Sequence, residues 1–522
     1  MKKLTSEEIK RELEKPNGAA LLAEDARLDK LALADAAAEL FIAEGVASAL
    51  LVRLAKSRAL LLRMSENPQL LERIREALSD EASPKLRRNS ARLLGALSRA
   101  PEDAERVIGR LETEDTRFVR PSLLLALGAI GGEEAEAALQ EYVPAPPADE
   151  TERKHFEEET EALKQARAAC MKHEKHTFTG LDREYELELS APDRLAMQLA
   201  TELADCGFTA YDVRRASLKV KTADYPGLFA ARCFSEALFP IGTAESLEPE
   251  KLAALARPFM EGFMRKTHSG EPPYRYRIEL EGELNCERTA LKKALRDCID
   301  GDDLVNAPSD YEIELRIAAA PGGNRLYLKL YTFRDERFRY RKESIPASMN
   351  PATAAAVLHF AGDYLTVNAR VIDPCCGSGT LLFERGLLSP CASLTGVDIA
   401  HKAIDAARVN AEAAARAFNI KQAKFIVNDI LRFEVKRPYD ELICNLPFGN
   451  RVGSHSSCEK LYKGLLDKLP RLVKHGGIAL LYTMEFTLLK KLIRERENLE
   501  ILSQGRTEAG GLTPMVFIIR VK

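Results

Sequence analysis

Arg370-Val371-Ile372-Asp373-Pro374-Cys375-Cys376-Gly377-Ser378-Gly379-Thr380 reads as a short buried strand, a glycine turn and the start of a helix that runs to Leu388. The same step recurs downstream. Leu394-Thr-Gly-Val-Asp398 precedes a helical pattern from His401 to about Phe418, Lys424-Phe-Ile-Val-Asn428 ends at Asp429, and Asp440-Glu-Leu-Ile-Cys-Asn445 stops at an asparagine. Strands alternating with helices predict a doubly wound parallel sheet of the α/β Rossmann class, whose ligands sit at the carboxyl ends of the strands.

A glycine turn after the first strand suits many nucleotide folds. This one is neither Gly-x-Gly-x-x-Gly nor Gly-Lys-Ser/Thr, which lowers the NAD and ATP readings. The acidic strand ends are more telling. Asp398 is placed to accept from both hydroxyls of a ribose, Asp429 from the exocyclic amine of an adenine, and Asp373 faces the cationic end of a ligand. Each alone also suits a helix N-cap. Together, with no phosphate-binding lysine, they suit a nucleoside cofactor that carries positive charge, S-adenosyl-L-methionine. At the fourth strand end, Asn445-Leu446-Pro447-Phe448 sets an amide, backbone carbonyls and a ring within four residues. The amide and a carbonyl accept the N–H groups of a planar amino-bearing base, and the ring stacks on its face. Arg451 follows as a cation for a phosphate or for the base. The plainer reading of Phe448 and Arg451 is a loop plug and a surface charge.

The chain of 522 residues is too long for one core, and domain-size statistics suggest three or four domains. A formal net charge of -3 rules out a general polycation, so RNA contact has to come from local patches. The most basic and aromatic window is Phe333 to Lys342, where Arg339 and Arg341 alternate with rings. Phosphates need cations and splayed bases need flat partners, although strand faces alternate in this way for structural reasons too. No apolar run approaches a membrane span and the N-terminus lacks a signal-peptide core, so the expected location is cytoplasmic. Ten scattered cysteines, two of them vicinal at Cys375 and Cys376, fit reduced structural thiols. His173 and His176 resemble half a metal site with no matching cluster, and no metal is expected.

Residues 1–142 are rich in Leu and Ala at helical spacing, and Leu86–Leu97 matches Val119–Ile130 at an offset of 33 residues. That period suits HEAT-like stacked helix pairs. Arg87, Arg88, Arg92, Arg117 and Arg120 then lie near a concave surface that suits a protein partner; a helical bundle with a solvated face fits equally well. Residues 143–180 read as a proline-rich linker and a charged helix. Residues 181–342 alternate strand and helix patterns and predict an α+β region of two small sheets.

Asp373-Pro-Cys-Cys-Gly-Ser-Gly-Thr380, Gly396-Val-Asp398, Asn428-Asp429 and Asn445-Leu-Pro-Phe-Gly449 resemble the signature blocks of Rossmann-fold amino-methyltransferases, above all the THUMP-domain RNA (guanine-N2)-methyltransferases of tRNA, with rRNA-modifying relatives close behind. The resemblance implies a C-terminal methyltransferase domain over 343–522 that binds S-adenosyl-L-methionine through Asp373, Cys375, Gly377, Gly379, Asp398 and Asp429. It also implies a role for Asn350 to Thr353 at the cofactor's methionine end. Residues 181–342 resemble a ferredoxin-like linker plus THUMP module, most clearly at Asn306–Leu315. Catalysis then falls to Asn445, Leu446, Pro447 and Phe448, with Arg451, Phe448, Arg339 and Arg341 as RNA contacts. The substrate reading is guanine N2 in tRNA. Guanine in rRNA and adenine N6 remain open, as does an inactive fold serving as a scaffold for the helical repeats.

Overall fold

Gly95 and Gly128 stand at the same phase of the 33-residue repeat, and each is where the next helix crosses. A Cβ on Gly95 would lie 2.8 Å from the Cα of Ala126, and one on Gly128 would lie 2.6 Å from the Cα of Ala166. Helices Pro84–Leu97, Arg120–Ile130 and Glu150–Cys170 therefore stack at backbone contact. This is a computed structural model describing residues 4–25, 27–81, 83–147, 149–170, 176–307, 309–346, 348–418, 420–447, 455–508 and 511–522. The chain forms two units, residues 1–175 with 305–310, and residues 176–304 with 311–522.

The 150–170 helix, expected as an appendage of the linker, belongs to the helical unit. Ala162, Leu163, Ala166 and Cys170 are buried in the same core as Leu94 and Leu127. The arginines expected on a docking face are largely spent inside it. Arg87 is buried and bidentate to Glu114, both bonds at 2.7 Å. Arg117 reaches Glu159 and Glu152 at 3.0 Å each, Arg120 donates to the Glu114 carbonyl, and Arg92 donates to Ser122. Arg88 stacks over Phe118. Because the repeats bury their joints, the cations at those joints pair with carboxylates or polar groups.

In the second unit, the strands Ala210–Tyr211, Ser217–Thr222, Tyr185–Ser190, Glu236–Ala244, Gly323–Leu330, Ile313–Ala320 and Tyr274–Glu281 lie side by side in that order. The two small sheets expected here are one. Glu236–Ala244 pairs antiparallel with Tyr185–Ser190 on one side and with Gly323–Leu330 on the other, with a register shift between Pro240 and Gly242. Helices Ala196–Asp205, Pro249–Thr267 and Arg288–Ile299 each bury an apolar stripe in the unit's main core.

The C-terminal sheet contains β1 (Ala369–Asp373), β2 (Cys391–Asp398), β3 (Lys424–Val427), β4 (Tyr439–Asn445), β5 (Val473–Thr483), β6 (Leu499–Arg506) and β7 (Met515–Val521). Their order is β3-β2-β1-β4-β5-β7-β6. β1 to β5 run parallel, and β7 lies antiparallel between β5 and β6. The reversal of strand order beside β1 opens a crevice at the carboxyl edge, where a doubly wound sheet takes its ligand. A fully buried ion pair braces this region. Arg385, on the helix after β1, donates to both oxygens of Glu441 on β4 at 2.8 and 3.0 Å.

Within the second unit, Arg232 of the α+β region makes a bidentate contact with the buried Glu384 at 2.7 and 3.0 Å, and the Tyr340 hydroxyl donates to the same carboxylate at 2.6 Å. A charge so deeply buried is retained because all its strong partners are supplied.

Candidate active site

β1 delivers Asp373 to the floor of the crevice, where it is 2% exposed and its Oδ1 accepts the Cys375 N–H at 3.1 Å. Burial, helped by the nearby Asp398, pushes the Asp373 carboxyl up to about 8. The chain turns immediately, with Gly377 at φ 52° and Gly379 at φ 86°. A Cβ on Gly379 would also lie 2.7 Å from the Phe383 ring, so glycine is required there by conformation and by space. The turn is pinned to β2: Cys376 N–H donates to the Val397 carbonyl at 3.0 Å, and Gly377 N–H to Asp398 Oδ2 at 2.9 Å.

Asp398 Oδ1 accepts the Ala400 N–H at 2.9 Å. Each of its oxygens thus takes one backbone hydrogen and keeps lone-pair capacity for the hydroxyls of a ribose. Asp429 stands two residues beyond β3, with Oδ1 accepting the Leu431 N–H at 2.9 Å. Asn350 caps the helix Pro351–Phe360 by accepting the N–H groups of Ala352 and Thr353, which leaves Thr353 buried in its first turn. Asp373, Cys375, Gly377, Gly379 and Asp398 come together around one turn. This donor set fits S-adenosyl-L-methionine: a buried carboxyl with no cation opposite it among the described residues, a glycine cradle and a ribose acceptor.

β4 ends at Asn445, paired in register with Tyr482 of β5, and Leu446 N–H donates to the Tyr482 carbonyl at 2.9 Å. The Pro447 carbonyl is occupied, accepting the Tyr462 hydroxyl at 3.1 Å and the Cys458 thiol at 3.5 Å. Tyr462 also meets Thr483 Oγ1 at 2.6 Å, and Thr483 Oγ1 accepts the Glu485 N–H at 2.9 Å. A carbonyl only accepts, so Tyr462 donates to Pro447 and Thr483 donates to Tyr462. Two acceptors of the motif stay open. Asn445 Oδ1 is shielded from solvent without a hydrogen-bond partner, and among the described residues none donates to the Leu446 carbonyl. A buried acceptor without a donor costs about 1–3 kcal/mol, so an orphan here points to a ligand N–H. Phe448 and Arg451 lie outside the described residues.

The Phe333–Lys342 window does not form the basic aromatic face expected of it. Phe333, Phe338 and Tyr340 pack into the main core of the unit. Arg337 is 4% exposed, donates to the Ala231 and Phe234 carbonyls and stacks on Phe234 at 3.7 Å. Arg339 donates to the Ala417 carbonyl at 2.9 Å and lies over Phe418 at 5.3 Å. Arg341 is half-buried, with its Nε lacking a partner. The rings are consumed by folding, which leaves this window as a strap between the two sheets.

Tyr462, Thr483 and Asn410 escape a reading of motifs. Asn410 is 1% exposed; its Oδ1 accepts the N–H groups of Lys342 and Glu343 at 2.9 Å, and its Nδ2 donates to the Ser378 carbonyl at 3.1 Å. It ties the strap to the glycine turn. A polar residue on the apolar face of the His401–Phe418 helix is the one sequence signal it offers. Glu202, Cys233 and His359 bring potential metal ligands within 4.8 Å of one another, but Glu202 is already engaged by the Arg232 and Cys233 N–H groups and by His359 at 3.3 Å. His173 lies outside the described residues, and His176 pairs with Glu312 at 2.7 Å.

Residues 339–513 match the family model for the RMKL-like methyltransferase domain, and residues 70–155 match HEAT repeats. A tRNA (guanine(10)-N2)-dimethyltransferase of Methanothermobacter thermautotrophicus is 27% identical over 167 residues, 31% of this chain and 47% of that protein. A tRNA (guanine(6)-N2)-methyltransferase of Thermus thermophilus is 26% identical over 307 residues, 58% of this chain and 85% of that protein. The chain thus spans about half the length of one of these relatives and most of the other. Among solved structures, SMU.472, described as a putative methyltransferase complexed with SAH, superposes with a TM-score of 0.53 at 14% identity, over 66% of this chain and 99% of that one.

Proposed function

We propose that this protein is an S-adenosyl-L-methionine-dependent methyltransferase that modifies the exocyclic N2 of a guanine in tRNA. The observation that carries the reading is the pair of open acceptors at the end of β4, the shielded Asn445 Oδ1 and the Leu446 carbonyl. When bound, the cofactor supplies an electrophilic sulfonium methyl. Asp373, the Cys375–Gly379 turn and Asp398 would hold it, together with Asp429 and Thr353.

A guanine N2 amine is a poor nucleophile because its lone pair is delocalised into the ring. Asn445 Oδ1 and the Leu446 carbonyl accept its two hydrogens, which favours localisation of the lone pair on nitrogen. Placement and fixed dipoles, not a strong base, would then supply the rate: the N–CH3 bond forms as the S–CH3 bond breaks, the cofactor leaves as its neutral thioether, and one N2 proton passes to solvent. Phe448 stacks on the base, which must be unpaired or flipped to reach the pocket. The names of the relatives favour guanine over adenine and tRNA over rRNA. The 181–342 sheet is assigned the part of a ferredoxin-like plus THUMP-like RNA module. The helical repeats are assigned a protein partner. Among the described residues no helix is long and apolar enough to cross a membrane, and a cytoplasmic site of action goes with an RNA substrate.

The test is methylation of unmodified tRNA with labelled S-adenosylmethionine, followed by nucleoside analysis. N2-methylguanosine is expected. Label appearing only as N6-methyladenosine would transfer the assignment to adenine, and no transfer to any RNA would remove it.

A further inference from the structure

The Phe333–Lys342 strap turns its rings and Arg337 inward and leaves Arg334, Arg339 and Lys342 exposed, too few cations alone for the several phosphates an RNA backbone presents. We propose that the exposed face of the helix Phe486–Arg494, with Arg506 beside it, is the surface on which the RNA backbone docks next to the catalytic crevice. This deepens the proposed function by naming where the same substrate is held.

Four observations carry it. First, the helix buries Leu489, Leu492 and Ile493 against the sheet, which turns Lys490, Lys491 and Arg494 to the other side. Second, Phe486, Thr487, Lys490, Lys491, Arg494 and Glu495 line an open depression of about 430 Å³. Third, among the described residues none of Lys490, Lys491, Arg494 and Arg506 has a carboxylate within 4.0 Å, whereas most of the arginines discussed above are spent on internal partners. Among the described residues that line the depression Glu495 is the one acid, against three cations, so the local field favours an anion. Fourth, one half-buried ring lies among the cations: the Arg506 guanidinium is 5.4 Å from the Phe486 ring, while Lys490 lies 5.8 Å from the ring of the buried Phe517.

The position relative to the site is set by the sheet. Tyr482 pairs with Asn445 across β4 and β5, and the helix starts four residues later. β6 runs parallel to β5, since each is antiparallel to β7, so Arg506 at its end stands at the same edge of the sheet as Asn445. The helix joins the end of β5 to the start of β6 and so runs back from the carboxyl edge; from Phe486 to Arg494 it extends about 12 Å at 1.5 Å per residue, so an RNA strand that leaves Asn445 down this side of the sheet passes over its cations.

The experiment measures binding of unmodified tRNA to the full chain over a range of salt. Lys490→Glu, Lys491→Glu and Arg494→Glu combined should weaken binding at least about tenfold at low salt and make the log-log salt slope shallower by about 2–3, the contribution of three phosphate contacts. Affinity for S-adenosylhomocysteine should be unchanged. Reversing Arg408, Arg416 and Lys421 alters net charge equally and should shift binding less than about twofold, because that reversal falls outside the proposed docking face. The milder Lys490→Gln, Lys491→Gln and Arg494→Gln set serves if the reversed chain fails to fold. A tRNA affinity and slope unchanged in the groove variants, an equal loss in the control reversal, or no binding by the unaltered chain would each overturn the proposal. If tRNA binds through this face but yields no N2-methylguanosine, the reaction assignment falls and the docking surface stands.

Discussion

The Tyr462 hydroxyl donates to the Pro447 carbonyl at 3.1 Å, and this contact decides which acceptors of the Asn445–Pro447 turn are left for a substrate. Tyr462 is fully buried and receives a hydrogen from Thr483, so its donor direction is fixed. Tyr462→Phe keeps the ring and removes the bond. The Pro447 carbonyl and the Thr483 hydroxyl then both lose a partner, which should lower stability by about 1–3 kcal/mol. Turnover should fall about tenfold through misplacement of the turn while S-adenosylhomocysteine affinity holds. Steady-state kinetics beside calorimetry separate the two, and an unchanged kcat would show that the turn is set by other contacts.

Asn445→Ala removes the shielded Oδ1 that has no internal donor. No native bond is lost, so the fold should tolerate the change. Loss of one preorganised dipole at the reacting amine should lower kcat by about 10²–10³, the size found when one hydrogen-bonding dipole is deleted from an oxyanion hole. Single-turnover methylation with cofactor and RNA both saturating reads this directly. Near-normal turnover would remove Asn445 from the reaction.

The candidate site residues are legible in the sequence because strand ends leave local marks. Asp373, Asp398 and Asn445 each close an apolar run, and the structure places each at the last residue of its strand. The helix after the glycine turn spans Thr380–Leu388 as its pattern indicates. Long-range pairing left no such mark. Glu236–Ala244 joins the two halves of the central sheet, yet Pro240 and Gly242 interrupt its alternation at the bulge. The window holding Arg339 and Arg341 reads as an RNA face because a sequence records charge and aromaticity, not that Arg337 and the rings around them meet the core. The 150–170 helix reads as a charged helix of the linker for the same reason: few of its residues are apolar, and Ala166 counts only because Gly128 lets it approach.

The Arg385–Glu441 pair predicts a stability effect separable from catalysis. Both side chains are essentially unexposed, and Glu441 also accepts the Thr366 N–H at 2.6 Å. Replacing one partner, as in Arg385→Met, strands a carboxylate in the core and should cost about 3–5 kcal/mol in urea unfolding. Arg385→Met with Glu441→Gln should recover much of it, since the neutral amide needs no cation. Equal losses in the single and double variants would mean that the site is limited by packing rather than charge.

Asp373 gives the pH dependence. Its carboxyl is raised from an ordinary 3.8 to about 8 by burial, with Asp398 adding to the effect. A folded-state pKa above the unfolded value means that the folded chain holds the extra proton between those limits. The ligand-free protein should therefore lose stability as pH rises from about 4 towards 8, and Asp373→Asn should remove that part of the slope. A ligand that brings a cation to Asp373 selects the ionised form. S-adenosylhomocysteine, through its ammonium group, should bind about tenfold more tightly per pH unit up to roughly 8 and then level off, releasing a proton below that point. Calorimetry in buffers of different ionisation enthalpy counts the proton. An affinity flat from pH 6 to 8 with no proton released would mean that Asp373 does not face the cationic end of the cofactor, and Asp373→Asn should produce that flat profile with weaker binding.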